Sequence, residues 1–479
     1  MLIRHTFFYI LARGLPGLIN FAALAIYTRL LTSEEFGRYS IVVAGAGLVH
    51  VVFFLWLMLV LGRFVPAHKE NPEKVLEPVL AIFLTTTCIF SIFGVIGALV
   101  FIGNIWAPLI LLSVILVAVQ AWHELNLRLA TAQLAPGRYG KLSGAKALMA
   151  LGVGGALAAM NWGASAPIVG LIFGSLGSYW IFRGHAWRGI RPRFPEYKNL
   201  RKFSDYGLPL TVTFALVWVT SSSDRLIIAA IVGEHAAGVY SVGYDLAQQS
   251  LGLLLSIVNT AALPLAINKL ERSGIQAAAG QLKINGELIF VLAFAGAAGL
   301  VASGPALMET FVGKEFRQES LQIFPWIAIL AAIVGIKSFY FDLAFHLSKQ
   351  SKWLIVTSLL AAVVNVCLNI VLIPQFGILG AAWSGLGGFV LATVFSAVLG
   401  RRVFPMPAFL PMLARAALVG TLTFVATRWA NGVQDFSPWI RLMLGVMCGG
   451  MVALFSAVLI NVAGLRTQLK EKLRSANDD

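Results

Sequence analysis

YGLPLTVTFALVWVTSSSDRLIIAAIVGEHAAGVYSVG, residues 206–243, is the stretch on which the reading of the fold turns. It opens with 18 residues that carry no full charge, then sets Asp224 and Arg225 side by side inside an apolar run. It also has a counterpart near the start of the chain, RGLPGLINFAALAIYTRLLTSEEFGRYSIV at residues 13–42. Three elements recur in the same order. They are Gly-Leu-Pro at 14–16 and 207–209, Arg-Leu at 29–30 and 225–226, and Gly-x-Tyr-Ser at 37–40 and 238–241. The order and comparable spacing point to a duplicated half.

Composition sets the class. Of 479 residues, 58% are hydrophobic and 12% are charged, with a mean hydropathy of +0.83. The charged share is about half that of a soluble domain. Apolar runs of about twenty residues recur from end to end, each long enough to cross a hydrocarbon core of about 30 Å. Fourteen spans are expected, at 7–27, 39–62, 79–103, 106–127, 142–161, 165–183, 204–231, 238–268, 284–305, 319–345, 353–373, 379–400, 409–429 and 439–463. Cys88, Cys367 and Cys448 all fall inside apolar runs and are expected as small buried hydrophobes, not as disulfides or metal ligands. No cleavable signal precedes the first span.

The net charge of +15 does not point to nucleic acid, because the basic residues stand in the breaks between apolar runs. Of the 36 Lys and Arg, 26 lie at the termini and in every second connection, 6 lie in the alternate connections, and 4 lie within spans. Positive charge collects on the cytoplasmic side, so both termini are expected there. The outer connections are short, which weighs against an enzyme built on a large outer loop.

The repeats lie six spans apart, so both halves keep one orientation and are expected to be related by a pseudo-two-fold along the membrane normal. The expected fold is therefore an all-α polytopic membrane protein of about 14 transmembrane helices. It divides into a six-helix lobe at 1–195, a second at 196–402, and two further helices with a basic cytoplasmic tail at 403–479. Pro16 and Pro209, each beside glycine, predict helix kinks facing an interior cavity.

Three segments resemble the polysaccharide-transporter (Wzx-like) branch of the multidrug/oligosaccharidyl-lipid/polysaccharide exporter superfamily. They are TRLLTSEEFGRYSIV, DRLIIAAIVGEHAAGVYSVGYDLAQ and NVCLNIVLIPQFGILGAAWSG. The resemblance implies a flippase that carries an undecaprenyl-pyrophosphate-linked oligosaccharide repeat unit from inner to outer leaflet, for O-antigen, capsule or exopolysaccharide. It implies alternating access around a cationic cavity, a coupling ion (proton or sodium), surrounding membrane lipids, and a polysaccharide polymerase or chain-length regulator as partner. No cofactor and no nucleic acid are expected.

Charge inside a span costs roughly 2.5–3.5 kcal/mol on insertion scales, so each instance is a candidate site. Arg13, Arg225 and Lys337 are the candidate cavity cations for an anionic substrate, and guanidinium suits a diphosphate. Asp224, Asp245 and Asp342 are the candidate counter-ions or ion-coupling groups. Adjacent helical residues point about 100° apart, so Asp224 and Arg225 need separate partners. Asp245 stands at similar depth on the next span and is the expected partner of Arg225. On the eighth span, Asp245, Gln248 or Gln249, Gly252, Ser256 and Asn259 fall on one face, a hydrogen-bonding stripe suited to sugar. Asn365 and Asn369 read as contacts between helices, and Arg415 as a side chain reaching the membrane interface. His123 and Glu124 read as a proton relay, or as half of an ion pair with Arg128.

The leading expectation is the lipid-linked oligosaccharide flippase, with no enzymatic activity. The alternatives are a lipid II or small-molecule exporter of the same superfamily and, from another class, a membrane glycan polymerase or ligase.

Overall fold

A computed structural model describes residues 2–432 and 435–467, with side chains from residue 16 onward except at 185 and 261. Among the described residues there are fourteen α-helices and no strands. They are α1 (Leu2–Leu30), α2 (Ser33–Phe64), α3 (Glu73–Val100), α4 (Trp106–Ala132), α5 (Pro136–Ala159), α6 (Ser165–Phe182) and α7 (Tyr197–Ile231). There follow α8 (Glu234–Phe311), α9 (Lys314–Ile336), α10 (Leu343–Leu347), α11 (Lys352–Phe376), α12 (Ile378–Val403), α13 (Leu410–Asn431) and α14 (Pro438–Leu459). Twelve helical stretches among them are long and apolar enough to cross a membrane. The protein is an all-α multi-pass membrane protein.

The helices run past the apolar runs from which they were expected, because their polar ends stay helical. The largest case is α8. A loop was expected over 269–283, yet the helix continues through it and breaks only at Gly274, where φ is +80°. At 1.5 Å per residue, a 78-residue helix would be about 117 Å long. The break divides it into two arms, each longer than a membrane core requires. Helices α1 and α7 continue through Pro16 and Pro209 without interruption.

The chain forms two compact units, residues 1–238 and 239–479. In the first, α2 packs on α3, α4 and α7, and α4 also packs on α6. Phe54, Leu57, Leu61, Leu76, Val79, Leu116 and Ile168 form the buried core. Helices α5 and α6 approach closely because Gly170 and Gly174 lie against the Ala150 and Lys146 carbonyls, the small-residue packing of membrane helices. In the second unit, α11 pairs with α12 and α13 with α14. Its core includes Leu251, Leu255, Phe290, Tyr340, Phe341 and Val419. Gly385 and Gly388 sit against Leu330 and Asn365, so this glycine pair serves helix packing.

The leading glycines of the two Gly-x-Tyr-Ser copies meet within the first unit. Helix α2 starts with a capping box, the Glu35 N–H donating to Thr32 Oγ1 and the Thr32 N–H to the Glu35 carboxylate. One turn on, a Cβ at Gly37 would overlap the Glu234 carbonyl oxygen, and one at Gly238 would overlap the Ser33 carbonyl oxygen. Ser33 and Glu234 each stand four residues before their glycine, so each copy meets the other at matching positions. Arg38 pairs with Glu234, and Ser33 Oγ lies 2.6 Å from His235 Nδ1.

The cysteines correct one expectation. They are free, but Cys88 and Cys367 are exposed on outward faces of α3 and α11. In a membrane protein the outer face is apolar as well, so apolar sequence alone does not bury a residue.

Candidate functional site

Lys337 and Asp342 give the clearest polar centre in the second unit. Lys337 is 4% exposed and Asp342 7%. Lys337 Nζ donates to Asp342 Oδ2 at 2.8 Å, and Thr357 Oγ1 of α11 lies 3.4 Å from the same ammonium. Ser396 of α12 donates to Asp342 Oδ1 at 2.8 Å. The backbone makes this pairing possible. Five steps along an α-helix would leave the two side chains about 140° apart. Residues Lys337–Phe341 instead form a π-helix, in which the Asp342 N–H donates to the Lys337 carbonyl at 2.9 Å. That i→i+5 closure, common at functional sites, brings both side chains to one face. Lys337, expected as a cavity cation, is taken up by an acid on its own helix and braced to α11 and α12.

The other candidates are distributed between the units. The Arg13 side chain lies outside the described residues. In the first unit, Asp224 is 1% exposed and lies on the buried face of α7 with Thr220 and Ile228. Its neighbour Arg225 is half-buried, and neither residue stands without an interaction. In the second unit, Asp245, Gln248, Gln249, Ser256 and Asn259 are all half-buried on the first arm of α8. Ser256 donates to the Leu253 carbonyl at 2.8 Å. The side-chain carbonyl oxygens of Gln248 and Asn259 are buried and, among the described residues, accept no hydrogen bond. Buried acceptors normally find donors, so these two oxygens stand out within α8. Asn369 donates to Asn365 at 3.4 Å, with both fully buried in α11.

The same arm of α8 also borders an apolar cavity of about 590 Å³. Leu251 and Leu254 line it from the first arm, Leu292 and Leu300 from the second, and Thr423, Val446 and Leu454 from α13 and α14. The last two helices therefore wall a lipid-like compartment within the second unit.

A separate polar centre lies in the first unit. His123 of α4 is fully buried, with Nδ1 3.2 Å from Ser178 Oγ. The Ser178 hydroxyl donates its one proton to the Ser175 carbonyl at 3.0 Å. His123 Nε2 is left bare, buried and without a hydrogen-bond partner.

The sequence profile of the polysaccharide biosynthesis protein family matches residues 2–268, more than half of the chain. The chain belongs to this family. No curated protein matches it individually. Among solved structures it is similar to the lipid II flippase MurJ in an inward closed conformation, with a TM-score of 0.74 and 13% identity over 95% of this chain and 98% of that one. An inward-facing multidrug resistance MATE transporter of the MOP superfamily gives a TM-score of 0.60 and 13% identity, over 82% and 97% of the two chains. A MOP superfamily transporter from Pyrococcus furiosus gives 0.59 and 11%, over 84% and 94%. The fold is that of the MOP transporters.

One buried acid escaped the sequence reading. Glu287 on the second arm of α8 is 7% exposed and accepts from Arg415 of α13 at 3.0 Å and from the Ala463 N–H at 2.6 Å. The signal was present, since Glu287 is the one charged residue in the apolar run 284–305. Arg415, expected only to reach the membrane interface, is held by that carboxylate. Arg441 pairs with Glu309 in the same manner.

Proposed function

We propose that the protein is a flippase moving an undecaprenyl-pyrophosphate-linked oligosaccharide repeat unit from the inner to the outer leaflet. The product would serve O-antigen, capsule or exopolysaccharide synthesis in a bacterial inner membrane. The observation that carries this reading is the first arm of α8, which borders an apolar cavity through Leu251 and Leu254 and bears the polar stripe from Asp245 to Asn259. An amphiphile needs both surfaces. The cavity takes the polyprenyl tail, and the open carbonyl oxygens of Gln248 and Asn259 accept from sugar hydroxyls.

Arg13 and Arg225 attract the pyrophosphate, with Asp245 as the counter-ion of Arg225 and Asp224 as the ion-coupling group. Lys337 and Asp342 act as a brace that holds α9, α11 and α12 together. Residues 1–195 and 196–402 act as the two lobes of alternating access, and both termini face the cytoplasm. A second reading, lipid II as the cargo, is favoured by the likeness to MurJ.

Glycines in the cavity wall provide the test. A Cβ at Gly450 meets nothing within 4 Å, and one at Gly299 meets only Thr423 at 3.9 Å. The first side-chain carbon of Gly450→Leu and Gly299→Leu therefore has room, both positions line the cavity, and both changes raise helix propensity. Both variants should fold and lose flipping of labelled lipid-linked oligosaccharide in proteoliposomes. Wild-type flipping by both would refute a role for the cavity.

A further inference from the structure

The turn that closes α14 separates two compartments of opposite character. Val462 and Leu465 face the apolar cavity. Asn461, Ala463, Gly464 and Thr467 face a polar cavity of about 650 Å³, together with Lys283, Glu287 and Arg415. The turn is an unusual one, with φ of +54° at Asn461, +51° at Ala463 and +74° at Gly464. Two side chains hold it. Asn461 Oδ1 accepts from the Arg466 and Thr467 N–H groups at 3.1 and 3.4 Å. Glu287 Oε2 accepts from the Ala463 N–H at 2.6 Å.

Both Glu287 oxygens are engaged, since the other one accepts from Arg415 Nη1 at 3.0 Å. The carboxylate thereby fixes the guanidinium, whose side chain stays 44% exposed with further N–H donors to offer. Lys283 lies one turn before Glu287 on the same arm and is exposed. With Glu287 balancing one of the two cations, the cavity keeps a net positive charge. A fixed fork and a mobile ammonium at the end of a hydrocarbon-lined space suit one ligand chemistry, a phosphate ester on a long-chain lipid.

We propose that Lys283 and Arg415 seat the phosphate of a lipid whose hydrocarbon chain enters the adjoining apolar cavity. The tail half of this assignment rests on the proposed function; the phosphate half rests on the polar cavity itself. The phosphate could belong to the polyprenyl carrier or to a bulk anionic phospholipid.

Native mass spectrometry of the full chain in neutral detergent, titrated with polyprenyl phosphate, uncharged polyprenol and phosphatidylglycerol, tests it. Polyprenyl phosphate should bind more tightly than polyprenol. Lys283→Gln and Arg415→Gln should each weaken phosphate-lipid binding about tenfold, the loss of one charge-assisted hydrogen bond. Arg415→Lys, which can keep the Glu287 pair, should retain part of the affinity, and this guards against a folding defect. Dependence on both cations for polyprenyl phosphate alone identifies the carrier as the source. The same dependence for phosphatidylglycerol identifies bulk lipid, and both results support the site. Equal binding of polyprenol and its phosphate, or unchanged affinity in Lys283→Gln and Arg415→Gln, overturns it. Gly450→Leu separates the two readings. If it abolishes binding while the charge variants have no effect, the phosphate site falls and the tail cavity stands. If charge-sensitive binding survives Gly450→Leu, the phosphate site stands and the tail cavity falls.

Discussion

Asp342→Asn leaves the Lys337 ammonium in a site where it is 4% exposed, with Thr357 at 3.4 Å and a neutral amide in place of its counter-charge. Removing one partner of a buried ion pair costs about 3–5 kcal/mol, because the other charge is left uncompensated. Lys337→Met strands Asp342 in the same manner, with Ser396 as its one remaining donor. The double variant Lys337→Met/Asp342→Asn should recover most of the loss, since neither charge remains and Thr357 Oγ1 still donates to the Leu354 carbonyl at 3.3 Å. The double-mutant cycle should therefore show a coupling of about 3 kcal/mol, read from chemical unfolding in micelles. Flipping measured on the same three proteins separates brace from substrate contact. A brace predicts that the double variant is both stable and active. Additive single effects, with coupling below about 0.5 kcal/mol, would refute the pairing. A stable but inactive double variant would return Lys337 to the substrate path.

Gly37→Leu and Gly238→Leu should each destabilise by at least about 1–3 kcal/mol in unfolding assays, since each side chain would meet a backbone carbonyl of the other motif copy. Gln248→Leu and Asn259→Leu should leave stability unchanged or slightly raised, because the oxygens removed are unsatisfied in the protein, while flipping falls; a stability loss without a transport loss would contradict their role. His123→Asn retains a hydrogen-bonding group near the Nδ1 position and should preserve the contact with Ser178, whereas His123→Ala should cost about 1–3 kcal/mol by thermal unfolding.

Much of the fold could be read from the chain, for a simple reason. A membrane core demands about twenty apolar residues per crossing, and that demand leaves a mark in sequence whatever the packing. The helical connection through 269–283 was hidden, because ERSGIQAAAGQLK is polar enough to look like a loop and yet contains good helix formers around Gly274. The site was less legible. Lys337 and Asp342 were both visible as charges in an apolar run, but their spacing puts them on different faces of an α-helix, and nothing local announces a π turn. Arg415 and Glu287 lie 128 positions apart, so their pairing exists only in the packed bundle. The contact of His123 with Ser178 likewise spans 55 positions and exists only once α4 packs on α6.

The central claim is the cargo and its movement. The wild-type chain in proteoliposomes, loaded with fluorescent undecaprenyl-pyrophosphate oligosaccharide in one leaflet, should carry it to the other well above protein-free vesicles. Lipid II should move more slowly in the same vesicles. Movement of lipid II alone, or of neither lipid, would contradict the account.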